Sequence, residues 1–496
     1  MKSYKKLQAV FKQLSYLGNA QQILQWDEAV IMPEGAGAER AQVMVTLKAL
    51  AQKLLISKKN KELFESARQE KGLSPFDQAN LKLMEQKYIL TDCIPPELTE
   101  QVVKASMQSE QAWRKLRGEN NWRAFVPYLT EVFRLTNEVA KRHGDVLQLS
   151  PYNASLHGFS PGFNQTSIDK IFAGLQQTIP ELIREISKVQ ATLPLQIPRG
   201  PFAADKQKQI GLKAMKALQF DFKHGRLDES HHPFCGGTPN DVRITTRYNE
   251  KEFISSLMGV CHEAGHGLYE QGIPRELIEQ PVGHIHSMAM HESQSLLMEM
   301  QVCRSKRFFK YLLPEIHHQL GNQEAFTTDN LYHLATRVEP GLIRVNADEV
   351  TYQMHILLRY EIEKKLFNGE LTIADLPAYW DEGMTRYLGI STKDNFKDGV
   401  MQDVHWPCGL FGYFPSYSLG RLISAQLFAT FLQSYPEFFE DVGNGNFQSL
   451  RNWLHVNVYA YGSALSTSDL LMKVTGEELD PDYFINHVKH HYLLNP

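Results

Sequence analysis

Residues 241–272 read DVRITTRYNEKEFISSLMGVCHEAGHGLYEQG. The first eight, DVRITTRY, are rich in β-branched residues and follow the turn-rich CGGTPND, which predicts a short strand. Asn249 followed by Glu252 resembles a capping box, and Gly272 with Pro274 reads as a stop, so the spacing predicts a helix over 250–271. A short strand leading into a helix that carries HEAGH is the centre from which the rest of the chain is read.

On that helix His262 and His266 share a face, where two neutral imidazoles at i and i+4 can reach one cation, and Glu263 falls beside a water on that cation. With 19 histidines in 496 residues, chance alone gives this pattern in roughly 5% of such chains. A third ligand would strengthen it. The continuation HExxHxxGxxH fails, because Tyr269 and Gly272 occupy its glycine and histidine positions. Twenty residues on, Ile285 and His286 are not acids, and Glu270 stands a further turn along the helix, about 5 to 6 Å from His266. Glu292, in HSMAMHESQSLLMEM on a second helix expected over 284–312, is the next carboxylate able to face the imidazoles. His284, His286 and His291 compete with it.

Elsewhere apolar residues recur every three or four positions, as in AERAQVMVTLKALAQKLL (38–55), and alternating strand-like runs are scarce. The expectation is an all-α protein with a small sheet beside the HExxH helix. Pro and Gly gather at 192–202, 233–239 and 407–415, yet no low-complexity linker or fixed repeat divides the chain. We therefore expect one large catalytic domain over 1–496, whose histidine-poor N-terminal helices, about 1–200, wall or cover a groove.

A net charge of -4 without runs of Lys and Arg argues against nucleic acid and anionic membranes. No long uninterrupted apolar stretch reads as a span, and lysines and glutamines interrupt the N-terminal apolar residues where a signal peptide would be continuous. Five scattered cysteines without CxxC read as reduced thiols. The expected location is cytoplasmic.

HEAGH at 262–266 is accompanied by HESQS at 291–295, DVRIT at 241–245, IRVNADE at 343–349, GVMQDVHW at 399–406 and the N-terminal QWDEAVIMPEGAGAERAQ. With these motifs the sequence resembles, nearly end to end, the carboxypeptidase Taq family of HExxH metallocarboxypeptidases. The resemblance implies an all-α fold with a deep groove, a homodimer, and zinc or cobalt held by His262, His266 and Glu292. It implies hydrolysis of the C-terminal bond of peptides with a free C-terminus, by a metal-bound water that Glu263 activates as general base. In related groove-shaped zinc peptidases a histidine and a tyrosine stabilise the oxyanion, a task this reading gives to His405 and Tyr417, with Tyr413 as the alternative tyrosine. For the substrate carboxylate, Arg344 is the first choice, steadied by Asp348 and Glu349. Arg243 is the second, with Asp241 orienting groups near the groove.

Two rival readings use the same residues. An endopeptidase or dipeptide-releasing peptidase would differ only at the subsite arginine. A silent scaffold would have no use for Glu263.

Overall fold

The computed structural model describes residues 2–285 and 287–494. Helix makes up 68% of it, against a small three-stranded sheet, as expected for an all-α protein. The chain opens with α1 (Lys2–Val30), α2 (Gly37–Leu55), α3 (Lys58–Ala67), α4 (Pro75–Asp92) and α5 (Pro96–Gly118). Sharp turns between them follow from their caps. Ser57 accepts from the Asn60 N–H, and Ser74 and Asp77 close a reciprocal capping box. Tyr4, Leu7, Phe11 and Leu14 of α1 meet Phe64 and Tyr88 in a small apolar core confined to this N-terminal layer.

A much larger core begins at α6 (Trp122–Leu147) and runs on through α7 (Pro151–Phe159), α8 (Gln165–Gln190) and α9 (Ala204–Ala217). Next comes the sheet of β1 (Gly225–Glu229), β2 (Cys235–Thr238) and β3 (Asp241–Thr246), in the order β1-β3-β2. The strand expected at DVRITTRY is β3, parallel to β1 and antiparallel to β2, with Val242 and Ile244 buried. Neither GRLDE nor CGGT has the β-branched pattern that would have announced β1 and β2.

The HEAGH helix is α10 (Ile254–Gly272). It ends where Gly272 and Pro274 predict, but it begins four residues late. Asn Oδ1 of residue 249 accepts from the Lys251 N–H and the Glu252 carboxylate from the Ser255 N–H, so the supposed capping box is a turn ahead of the helix. The single helix expected over 284–312 is three pieces: α11 (Met288–Leu296), a π-helical stretch Leu297–Cys303, and α12 (Lys306–Leu320), newly capped by Ser305.

There follow α13 (Thr328–Ala335), α14 (Tyr352–Asn368), α15 (Leu376–Leu388), α16 (Pro415–Ser434), α17 (Phe438–Gly443), α18 (Gln448–Asn457), α19 (Thr467–Thr475) and α20 (Asp482–Lys489). The N-terminal layer is tied to this body by polar links. The Asn80 amide donates to Tyr4 and to Gln280, Lys12 pairs with Glu279, and Trp26 of α1 lies under Arg243 of β3, 4.4 Å from its guanidinium. No described helix is long and apolar enough to cross a membrane.

Candidate metal centre

Close approach of three helices builds the site. At Gly265 of α10 an added Cβ would stand 2.5 Å from the Gln294 carbonyl oxygen, so glycine there lets α10 and α11 touch backbone to backbone. At Gly420 of α16 a Cβ would stand 2.8 Å from that of Glu292, so α16 closes on the same carboxylate from another side.

Ligand-type atoms of His262, His266 and Glu292 consequently lie within 4.8 Å of one another. Glu292 Oε2 is 3.7 Å from His262 Nε2 and 3.4 Å from His266 Nε2. Tetrahedral ligands each about 2.1 Å from an ion stand roughly 3.4 Å apart, so the donor set fits a divalent cation. The other ring nitrogens are already used. His262 Nδ1–H donates to Glu299 at 2.9 Å and His266 Nδ1–H to the His291 carbonyl at 3.0 Å, which turns both Nε2 atoms toward Glu292.

Electrostatics follow the same geometry. Burial works against charge on Glu292, but His262 and His266 outweigh it and hold its pKa down at about 2. Burial likewise disfavours an imidazolium at His262, yet Glu292 and Glu299 lift its pKa to about 9. At His266 burial and the neighbouring His291 lower it to about 3. Glu263 is buried, which raises its pKa to about 7 against the pull of His262, and among the described residues its carboxylate makes no hydrogen bond.

The competing histidines lie elsewhere. The His291 ring stacks on His266 at 4.1 Å and directs Nε2 to Glu270, 3.5 Å away. His284 is exposed, with its carbonyl accepting from Ser463, and is not part of the cluster. His286 lies outside the described residues.

His405 and Tyr417 are brought together, Nε2 to hydroxyl, at 3.0 Å. Burial and Arg344 lower the His405 pKa to about 3, so the ring is neutral. Tyr413 packs against both, and Glu292 is near enough for its charge to raise the pKa of either phenol beyond the effect of burial.

The arginines are more committed than their motifs suggest. Arg344 is buried and gives Nε and Nη2 to Asp403 at 3.0 and 2.8 Å and Nη1 to Tyr352. Asp348 and Glu349 do not steady it. Asp348 caps the turn at Val350 and Thr351, while Glu349 takes His487 and Tyr492. Arg243 is paired with Asp241 at 2.7 Å, so these two residues occupy each other.

Three participants escaped the sequence reading. Glu299 orients His262 and is itself held by Arg304 at 2.6 Å; its signal was an acid seven residues after Glu292. Asp403 neutralises Arg344 and also accepts from Arg359 at 2.7 Å. Arg421, buried one turn beyond Tyr417, lies 4.3 Å from the Tyr352 ring and adds to the field on Glu292. Nothing local in the sequence marks Arg421, and GVMQDVHW contains Asp403 without showing that its partners are Arg344 and Arg359.

The sequence profile described as "Carboxypeptidase Taq (M32) metallopeptidase" matches residues 6–492. The chain is 34% identical to "Thermostable carboxypeptidase 1" of Thermus thermophilus over 99% of this chain and 98% of that one. It is 33% identical to "Carboxypeptidase 1" of Bacillus subtilis over 97% and 96%. Among solved structures, "Trypanosoma Cruzi Metallocarboxypeptidase 1" superposes with a TM-score of 0.97 at 37% identity, covering 99% of this chain and 100% of that one. A Pyrococcus furiosus carboxypeptidase superposes with a TM-score of 0.95 at 30% identity, covering 99% of each. Resemblance over a few motifs thus extends to the whole chain and to its fold. The chain belongs to the carboxypeptidase Taq (M32) family and is a metal-dependent carboxypeptidase.

Proposed function

We propose that the enzyme removes single residues, with broad specificity, from peptides bearing a free C-terminus, with His262, His266 and Glu292 holding zinc or, alternatively, cobalt. One observation carries this reading: both Nε2 atoms converge on Glu292 with an uncommitted carboxylate, Glu263, next to the first of them. The ion, when bound, supplies Lewis acidity toward water and the scissile carbonyl. Glu263 acts as the base. Its pKa of about 7 suits a group that takes the proton of the attacking water and then returns it to the leaving amine.

His405 Nε2 pairs with the Tyr417 hydroxyl and positions this phenol to donate to the developing oxyanion, with Tyr413 as the alternative donor. For the terminal carboxylate the reading keeps Arg344. Arg344 and Arg359 share the single charge of Asp403, so the cluster has a surplus positive charge that favours a substrate anion. Arg243 with Asp241 is the alternative.

The whole chain is read as one catalytic unit with residues 1–200 as a wall of its groove. It acts as a cytoplasmic homodimer, a reading supported by the family resemblance.

Digestion of a peptide followed by mass spectrometry tests the activity. A ladder of one-residue losses, stopped by a chelator and restored by zinc or cobalt, is expected. A C-terminal amide should resist cleavage; equal cleavage of acid and amide would favour an endopeptidase. Replacing Glu263 by Gln should lower turnover by about 10²- to 10⁴-fold with metal content unchanged. Survival of turnover would remove Glu263 from the role of base.

A further inference from the structure

The residues next to His405 and Tyr413 converge on a single side chain, that of Glu363 on α14, which is fully buried. Its Oε1 accepts from the Trp406 indole N–H at 2.8 Å, and its Oε2 accepts from the Gly412 N–H and the Tyr152 hydroxyl, each at 3.0 Å. Trp406 directly follows His405, and Gly412 directly precedes Tyr413. One turn earlier on the same helix, Arg359 holds Asp403 at 2.7 Å, so α14 grips this part of the chain at Asp403, Trp406 and Gly412.

Between Trp406 and Gly412 the loop closes on itself. The Gly409 N–H donates to the Trp406 carbonyl at 2.9 Å and the Leu410 N–H to that of His405 at 2.8 Å. At Gly412 φ is +90°, and an added Cβ would stand 2.8 Å from the Ser155 backbone on α7, so the loop is also pressed against that helix. Both ends of the turn are thus tied to one carboxylate. At one tied end stands His405, whose Nε2 meets the Tyr417 hydroxyl at 3.0 Å, and at the other stands Tyr413, packed against both rings.

A buried carboxylate is costly, and apolar side chains of similar size often fill such a place without loss of stability. An apolar side chain could not, however, accept from Trp406 and Gly412 at once. We infer that Glu363 is a positioning residue, which by accepting from Trp406 and Gly412 sets the distance and direction at which the His405–Tyr417 pair and Tyr413 meet the oxyanion of the reaction. The inference rests on the reading of these phenols as oxyanion donors. Glutamine at this position has one accepting oxygen, so its amide N–H groups would be turned against either the indole or the Gly412 N–H. The loop would then shift on the side of His405 or on that of Tyr413.

Steady-state hydrolysis of an N-acylated dipeptide with a free C-terminus, by the zinc-loaded enzyme at pH 8.5, tests it. That pH keeps Glu363 ionised, since burial lifts its pKa to about 7 against the pull of its three donors. Glu363→Gln should lower kcat by about 10- to 100-fold with KM and metal content unchanged, because the oxyanion develops only on the way to the transition state. In a Tyr413→Phe/Tyr417→Phe background, which lacks both phenols, the same substitution should cost less than about twofold. Trp406→Phe keeps an aromatic ring and removes only the indole donor. It should repeat this pattern with a smaller loss, and it decides the question if Glu363→Gln does not fold. Full kcat in these variants, a rise in KM in place of the fall in kcat, or an equal loss with and without the phenols overturns the inference. Full kcat in the variant lacking both phenols overturns the reading of the oxyanion donors, and this inference falls with it.

Discussion

Helices α2 and α16 are nearly equal in length and opposite in setting. Of the 19 residues of α2 only Leu55 is buried, whereas α16 buries 14 of its 20, including Arg421, Ser416, Ser418 and Ser424. Apolar side chains on α2, such as Val45 and Leu50, are about half exposed. On α16 even glycine is used to bring Glu292 closer. Chemistry that depends on fixed distances thus sits where helices are enclosed on every side. The N-terminal layer, with its small separate core, is under no such constraint.

The sharpest test of this contrast is Asp403→Asn, which leaves Arg344 and Arg359 buried without their counter-charge. A loss of about 3 to 5 kcal/mol is expected in chemical denaturation. The effect depends on pH in a definite direction. Burial opposes the charge on Asp403, but Arg344 and Arg359 outweigh it and hold the carboxyl well below the usual range. Its stabilisation is therefore complete above the unfolded value of about 3.9 and disappears as pH falls below that. Wild type should lose this increment on acidification, and the Asn variant has none to lose.

A pair of glycine substitutions compares the two regions directly. Gly265→Ala drives a methyl against the α11 backbone and should cost about 1 to 3 kcal/mol, together with metal affinity measured by competition with a chelator. In Gly37→Ala, at the start of α2, the new methyl meets nothing within 4 Å and φ is -58°, so a gain of about 0.4 to 1 kcal/mol is expected. Equal losses at the two positions would erase the distinction. The smallest effect belongs to Val45→Lys and Leu50→Lys, each within about 0.5 kcal/mol by thermal melting.

The same contrast explains what was legible in the sequence. His262, His266 and Glu292 could be read because helical periodicity places i and i+4 on one face and because an acid on the following helix can return to meet them. Boundaries were less legible. Asn249 and Glu252 have the composition of a cap, but their side chains serve the turn before α10. The partner of Arg344 was sought among its neighbours, Asp348 and Glu349, although it lies 59 residues away at Asp403. Buried charges choose partners by tertiary packing, which spacing in the sequence does not reveal. The sheet was legible only where its strand carries β-branched residues, at β3.

The π-helical stretch from Leu297 to Cys303 has a consequence for how the centre could change over time. A wider turn alters the phase at which Glu299 meets His262. Removing one residue there would restore the tighter winding and swing Glu299 by about 100° around the axis, a single step at 3.6 residues per turn. All three prospective metal ligands would survive in the sequence, yet the first imidazole would lose the anion that fixes its tautomer and strengthens its basicity. Chain length in this short stretch is thus itself a tuning variable, open to single-codon deletion and invisible to a residue-by-residue substitution scan.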